Sequence, residues 1–200
     1  MRDEYKAYER VIGAELGRTA AGCLAHARRK FDELLRDNGR SAVATQALQH
    51  IAQIYRVERE LAVLTSEERL AGRNALARPL WKRLYDWLRL ERARVPDGSA
   101  TAKALNYSLN AWEALTRNLL DGEVNVDNNH CENLIRPWAL GRKAWLFVGS
   151  ELAGQRAAVV ISLVQSAKLN GHDPHAYLND VLTRLPTHLN SHIDELLPHN

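Results

Sequence analysis

The sequence predicts a mainly α-helical fold. Apolar residues recur at helical spacing along residues 41–64, and a clearer amphipathic stretch follows Pro79. Turn-forming residues separate these stretches, most plainly at residues 94–99. Because each amphipathic segment must bury its apolar face against another, these observations together predict an all-helical block over about residues 32–120.

Capping residues predict where the helices within this block begin and end. Ser66, followed by Glu68, opens one helix, which Pro79 is expected to interrupt. Ser99 is a good N-cap for the next helix, which is predicted to run to about Leu120. The block is therefore expected to consist of consecutive helices.

The segments outside the block are less uniform. Residues 5–17 are predicted to form a helix, whereas the small and apolar residues at 19–25 form either a buried strand or a helix, since periodicity does not separate the two. Residues 141–150 carry apolar side chains between glycines and are expected to form a short strand or a turn. Further helices are predicted over residues 155–169 and 174–185.

Four aromatic residues in the block admit two interpretations. Trp81, Tyr85, Trp87 and Trp112 form either a surface for a partner helix or the filling between the block's own helices. The second interpretation is favoured, because every helix needs something to bury its apolar face. A helical interaction module therefore stays open as an alternative function that depends on these side chains being exposed.

The composition is that of an ordinary globular chain, with 46% hydrophobic and 26% charged residues. No apolar run approaches the ~20 residues of a membrane span, and no secretory signal follows Met1. The two cysteines, Cys23 and Cys131, fit a reducing cytoplasm. A net charge of +3 permits a nucleic-acid partner without requiring one. These features predict a cytoplasmic protein with no membrane partner.

Residues 127–144, DNNHCENLIRPWALGRKA, combine one glutamate with several cations. Glu132 and Arg136 lie four residues apart, so a helix would project both from one face, with Lys143 near that face. Such a combination suits a site where a divalent metal meets a phosphate backbone, because Mg²⁺ prefers oxygen ligands and phosphate attracts cations. The alternative is a solvated helix face with an ordinary ion pair.

Histidine and cysteine spacings give weaker signals. Two histidine pairs within residues 172–192 have ligand-like spacing, but no acid or thiol joins them. Cys23 and His26 form the other pair of this kind, and two ligands do not make a structural zinc site. Surface, capping or structural roles are therefore the expectation for all of them.

Three motif regions together resemble one protein family. They are GCLAHARRKF at residues 22–31, DNNHCENLIRPWALGRKAWLFVGSELAGQRAAVVISLVQSAKLNG at 127–171, and DPHAYLNDVLTRLPTHLNSHIDELLPHN at the end of the chain. In this order they look like the insertion-sequence-66 family of bacterial transposases. The resemblance covers nearly the whole chain and is weakest in the helical block.

This resemblance implies a DDE transposase with a ribonuclease H-like catalytic core. In that group two aspartates and one glutamate hold two Mg²⁺ (or Mn²⁺) ions, which serve DNA nicking and then transfer of the 3′-OH into target DNA. By resemblance Asp3 is the second acid and Glu132 the third, so both are expected to be catalytic and to bind metal. The implied partners are transposon ends, target DNA and other transposase molecules, in a bacterial, nucleoid-associated setting.

Basic clusters near two of these motifs are the expected contacts to DNA phosphate. The predicted DNA-binding residues are Arg28, Arg29, Lys30, Arg136, Arg142 and Lys143. Of these, Arg136 and Lys143 match basic positions that follow the family's glutamate. Cys23 and His26 match a C-x-x-H pattern found at this place in several DDE groups, for which a structural role is expected.

The chain departs from the family in having no first aspartate. In a ribonuclease H-like fold that acid lies on the first strand, and acids just before Glu132, such as Asp127, cannot easily replace it. The expected architecture is therefore mainly α: an incomplete ribonuclease H-like α/β core with one or two short strands in residues 1–155, the helical insertion within it, and a helical region at 156–200. Such a fragment is expected to be inactive alone, and the alternative is a non-catalytic DNA-binding or inhibitory subunit.

Overall fold

Helices account for most of the chain in the computed structural model, which describes residues 19–145 and 149–199. These residues contain no β-strand, and the prediction of a mainly α-helical protein is confirmed. The chain divides into two compact units, Met1–Asn129 and His130–Asn200. The helix predicted over residues 5–17 lies outside the described residues.

Three helices of the first unit begin at a residue whose side chain caps them. Its described α-helices are α1 (Leu24–Asn38), α2 (Ala42–Leu61), α3 (Ser66–Gly72), α4 (Arg78–Arg94), α5 (Ala100–Asn110) and α6 (Trp112–Leu115). A π-helical turn, Arg73–Ala77, joins α3 to α4, and a 3-10 turn, Arg117–Leu119, follows α6. Ser41, Thr65 and Ser99 each accept a hydrogen bond from the backbone N–H three residues later, which caps α2, α3 and α5.

An apolar cluster shared by α1, α2, α4 and α5 forms the core of the first unit. From α4 it includes Trp81, Leu84 and Leu88, all of them buried. Trp81 meets Trp112 edge to face, with ring centroids 5.5 Å apart. Trp81 therefore fills the space between helices of its own unit, whereas Tyr85, Trp87 and Trp112 stay partly exposed, so internal packing accounts for only part of the aromatic stripe.

The helix predicted over residues 99–120 is broken into shorter pieces. Ala111 (φ −87°, ψ 5°) and Thr116 (φ −91°, ψ 5°) leave the α-helical region. The carbonyl of Trp112 accepts from both the N–H and the hydroxyl of Thr116, each at 3.0 Å. Pro79 lies in the first turn of α4, directly after the π-helical turn Arg73–Ala77, so the regular α-helix that begins at Ser66 is interrupted just before the proline.

The segment at residues 19–25 forms no strand beyond a single bridge residue at Gly22. Its end belongs to α1, which begins at Leu24. The Gly22 N–H donates to the carbonyl of Ala114 at 2.7 Å, and a Cβ at this position would lie 2.9 Å from the Leu115 nitrogen. Glycine is therefore needed here for a close backbone approach.

The second unit contains α8 (Glu151–Leu169) and α9 (Pro174–Arg184), which confirms the helices predicted there. Asp173 caps α9 by accepting a hydrogen bond from the Ala176 N–H at 2.8 Å. Short 3-10 segments, Leu185–Thr187 and Asn190–Leu196, follow. None of the described helices is long and apolar enough to cross a membrane.

Helix α7 (Asn129–Trp145) begins at the last residue of the first unit and continues into the second. It extends four residues past Gly141, so the prediction of a strand or turn over residues 141–150 is wrong for its first half. Good helix formers such as lysine and alanine in this stretch outweigh its glycine. Residues 146–148 lie outside the described residues.

Candidate functional site

Helix α1 divides the GCLAHARRKF motif into two faces. Leu24, Ala27 and Phe31 are buried in the core of the first unit, and Phe31 is 0% exposed. The exposed face carries the adjacent cations predicted to bind DNA, Arg28, Arg29 and Lys30. Helical periodicity thus makes one short motif both a core element and a positively charged surface.

Two of these three cations have weak acidic partners on their own helix. Arg28 Nη1 lies 3.0 Å from Asp32 Oδ2, and Lys30 Nζ lies 3.3 Å from Glu33 Oε2. Exposed pairs of this spacing contribute little and are screened by salt, so both cations can exchange a carboxylate for a phosphate. Arg29 has no ion-pair partner within the described ranges.

Helix α7 carries Glu132 in its first turn, where the helix dipole favours a carboxylate. Glu132 and Arg136 line one surface pocket of about 360 Å³, so the expectation that they share a helix face is confirmed. Arg136 is exposed and forms no ion pair with an acid in the described part of the chain. The ordinary ion pair suggested by the spacing is therefore not formed.

The remaining predicted cations, Arg142 and Lys143, lie in the last turn of the same helix, with their side chains outside the described part. Pro137 lies between Arg136 and these two terminal cations. Proline has no N–H to donate to the carbonyl of Asn133, one turn earlier, and its ring crowds that turn. The helix therefore lacks one backbone hydrogen bond between Glu132 and the terminal cations.

The loop that leads into α7 is held by Asp127. Its Oδ2 accepts a hydrogen bond from the Tyr55 hydroxyl at 2.8 Å, and its Oδ1 accepts one from the Asn129 N–H at 3.1 Å. Burial and then the hydrogen bond to Asp127 raise the pKa of Tyr55, so the hydroxyl stays a donor. Both carboxylate oxygens of Asp127 therefore accept hydrogen bonds within the first unit, which fixes the start of α7.

A buried ion pair holds an earlier part of the same loop. Arg73 is 1% exposed, and its Nη2 lies 2.7 Å from Glu58 Oε2. Its Nη1 donates to the carbonyls of Asn118 at 3.1 Å and Val124 at 2.9 Å. The sequence carries no signal for this contact, because Arg73 and Glu58 both fit the polar faces of amphipathic helices.

Cys23 is buried next to the loop before α7. The N–H of Leu24 donates to the carbonyl of Val126 at 3.0 Å, which joins the two motif regions within the first unit. Burial raises the pKa of the Cys23 thiol, more than the backbone N–H of Asn128 lowers it. A buried, protonated thiol fits a structural role.

Brief alkylation with iodoacetamide at neutral pH is expected to modify Cys131 and to spare Cys23. Cys131 is exposed, whereas Cys23 is 2% exposed and its raised pKa keeps the thiol protonated. Peptide mass spectrometry measures the extent of modification at each site. In denaturant both cysteines should react alike, and equal labelling of the native chain would contradict the burial of Cys23.

The two-metal centre implied by the resemblance needs several carboxylates. Asp3, one of its two predicted ligands here, lies outside the described residues. Among the residues that are described, no group of three or more His, Cys, Asp or Glu side chains could hold a metal ion. Glu132 alone does not satisfy an ion that prefers about six oxygen ligands. The described residues therefore do not by themselves fit the implied metal centre.

Comparison with known proteins agrees with the motif regions. A model of the Transposase IS66 family matches residues 1–156, and a model of the IS66 C-terminal element matches residues 162–199. The Sinorhizobium fredii (strain NBRC 101917 / NGR234) proteins y4hP and y4jD are each 39% identical to the chain, over 191 and 183 residues. A third protein of this organism, y4qI, is 37% identical over 184 residues.

Each of these matches covers 90% of this chain but only 33–35% of the relative, so the chain spans about a third of the length of the curated relatives it matches. No solved structure matches it. The family models together cover nearly all of the chain, including both motif-bearing helices, α1 and α7. The chain belongs to the IS66 family of transposases.

Proposed function

We propose that this chain forms the carboxy-terminal part of a DDE transposase and contributes Glu132 as the last metal-binding acid of the catalytic triad. The observation that carries the proposal is the family match over residues 1–156, which includes both Asp3 and Glu132. Enzymes of this group use divalent metals to cleave DNA strands and then to transfer them into a target. The position of Glu132 in the first turn of α7, beside an exposed arginine, supports the assignment.

The proposed organisation follows the two family matches. Residues 1–155 belong to a partial catalytic domain of ribonuclease H-like type, with Asp3 as its second acid and a helical insertion over residues 32–120. Residues 156–200 form the carboxy-terminal helical region. Helices α2 to α6 pack closely around one hydrophobic core, which supports a helical block over residues 32–120, and α1 contributes Leu24, Ala27 and Phe31 to the same core.

The proposed contacts to DNA are electrostatic. Arg29 and Arg136 are exposed and have no acidic partner in the described ranges, so their charges are available to phosphates. Arg28 and Lys30 flank Arg29, and their exposed ion pairs can open at little cost. Cation–phosphate contacts supply most of the sequence-independent affinity of proteins for DNA, and they release counterions on binding.

The purified chain is expected to bind duplex DNA with an affinity that falls steeply as salt is raised. Replacing Arg29 by glutamine should make the slope of log K against log salt shallower by about 1, because one phosphate contact is lost. Fluorescence anisotropy of a labelled duplex, measured between low and moderate salt, gives this slope. Arg94→Gln is the matched control, since it removes an exposed arginine of the same unit outside both motifs. An unchanged slope for Arg29→Gln would remove α1 from the proposed DNA surface.

The 200-residue chain alone is expected not to nick transposon-end DNA with Mg²⁺ or Mn²⁺. None of its residues matches the first aspartate, and loss of one metal-bridging carboxylate removes much of the transition-state stabilisation in a two-metal reaction. Nicking of a supercoiled plasmid that carries the ends measures the activity, with the Glu132→Gln variant as control. Cleavage by the native chain that Glu132→Gln abolishes would show a complete active site and would overturn this part of the proposal.

A non-catalytic DNA-binding or inhibitory subunit is the second candidate, and the exposed cations of α1 favour it. It shares the salt-dependent DNA binding expected above and differs in its effect on a complete transposase. Added in excess, such a subunit should reduce strand cleavage by the longer enzyme in proportion to its occupancy of the ends. The α1 variant Arg29→Gln should then inhibit less than the native chain.

A further inference from the structure

The helical insertion contains an open pocket with an aromatic wall. It lies where α4 meets α6 and the turn that follows, and it encloses about 330 Å³. Tyr85 and Trp112 line it and are partly exposed, with ring centroids 4.9 Å apart and planes tilted by 43°. Trp81, which is buried, meets Trp112 edge to face behind them. A pocket of this size accommodates a small aromatic group.

Cations surround this aromatic wall. The pocket is lined by three cations, Arg78, Lys82 and Arg117, and by one carboxylate, that of Glu113. Arg78 is held by Asn74 Oδ1 at 2.9 Å and has no acidic partner in the described part of the chain. The Glu113 carboxylate pairs with Arg117 at 2.9 Å, but the side chain of Glu113 is 89% exposed, so this ion pair is weak.

Lys82 also has an acidic neighbour, Asp86, at 2.5 Å. Both side chains are largely exposed, so this pair is screened in the same way. The pocket therefore presents flat aromatic surfaces inside a rim of net positive charge. That is the combination found in sites for single-stranded nucleic acid, where bases stack on aromatic rings and cations follow the backbone.

We propose that this pocket binds an unpaired nucleotide of DNA, with the base against Trp112 and Tyr85 and the flanking phosphates against Arg78 and its neighbouring cations. The choice of DNA as the ligand rests on the proposed function. The aromatic wall selects for an unpaired base, because the bases of a duplex already stack on each other and cannot enter a pocket singly.

A buried polar group at the wall fits the same ligand. The indole N–H of Trp81 is buried and finds no acceptor among the described residues. A buried donor without an acceptor is unfavourable, and native proteins leave few of them. Trp81 also lines the pocket, and the carbonyl groups of nucleobases are acceptors of the kind that this donor lacks.

The test compares labelled oligothymidylate with an oligonucleotide of the same length whose central nucleotides are abasic. Both strands carry the same phosphates, so only the bases distinguish them. Fluorescence anisotropy with the native chain should show about tenfold tighter binding of the base-containing strand, as expected for stacking of one base on an aromatic ring. Equal affinities would overturn the proposal without any substitution in the protein.

Substitutions then locate the effect in this pocket. Trp112→Ala should abolish the preference for bases, and Trp112→Phe should retain most of it, because phenylalanine keeps a stacking surface. Tyr85→Leu provides a second, more conservative loss of an aromatic ring. Trp87→Leu is the matched control, since Trp87 instead contacts Gln46 and His50. A preference for bases that survives both Trp112→Ala and Tyr85→Leu would place the stacking site elsewhere.

The outcomes separate this proposal from the broader one. One outcome is salt-dependent duplex binding that needs Arg29 but shows no preference for base-containing over abasic strands. This outcome would overturn the proposal about the pocket and leave the proposed function standing. Absence of binding to every DNA would overturn both. A preference for bases that Trp112→Ala removes, while duplex binding persists, supports the pocket as a separate site for unpaired DNA.

Discussion

Replacing Arg73 by methionine is expected to lower the free energy of unfolding of the first unit by about 3–5 kcal/mol, the range for breaking a buried ion pair. Arg73 is 1% exposed and the side chain of its partner, Glu58, is 9% exposed. Methionine fills much of the same volume but leaves the Glu58 carboxylate buried without its cation. It also removes the donors for the carbonyls of Asn118 and Val124. Urea denaturation followed by tryptophan fluorescence measures the loss.

Two further variants show whether the effect comes from the buried charge. Arg94→Met should cost less than about 1 kcal/mol, because the side chain of Arg94 is 61% exposed, although that of its partner Glu91 is 14% exposed. The double variant Arg73→Met/Glu58→Leu should be less destabilised than the sum of the single variants, since it leaves no unpaired charge. A loss below 1 kcal/mol for Arg73→Met would mean that water reaches this pair.

The ion pair of Arg73 with Glu58 shows which features of the fold can be predicted from sequence and which cannot. Helices α2, α5, α8 and α9 follow from periodicity and caps, which are local and survive packing. The ion pair of Arg73 with Glu58 joins residues 15 positions apart, and its contacts to the loop span 45 to 51 positions. Charged residues on an amphipathic helix are expected to be exposed, so only the tertiary packing of the π-helical turn buries this arginine.

The positions where helices end or continue are the other feature that the sequence does not predict fully. The helix predicted from Ser99 breaks at Ala111 and Thr116, whose backbone dihedrals leave the α-helical region without a glycine or proline to mark either break in the sequence. The extension of α7 to Trp145 shows the opposite case, in which a helix continues through a glycine that favoured a turn. Sequence patterns placed Glu132 and Arg136 on one face correctly, because four-residue spacing is a property of the helix itself.

The cations on α1 that were predicted to bind DNA are exposed. The buried face of the same helix allows a second large effect on the free energy of unfolding to be tested. Phe31→Ala is expected to destabilise the first unit by about 3–5 kcal/mol, as for other fully buried phenylalanines. Phe31 is 0% exposed and belongs to the core cluster with Leu24 and Trp81. Thermal or urea denaturation measures the change, and a loss near 1 kcal/mol would mean that the core collapses around the missing ring.

Arg29→Gln, two residues away on the exposed face, should show the reverse pattern. Its stability should change by no more than about 0.5 kcal/mol, because the substituted side chain is exposed and makes no ion pair with another described residue. Its DNA affinity should fall and become less dependent on salt, whereas Phe31→Ala, measured where it is still folded, should bind DNA as the native chain does. If both variants lost stability and DNA binding together, α1 would have no separate DNA-binding face, and its cations would serve the fold alone.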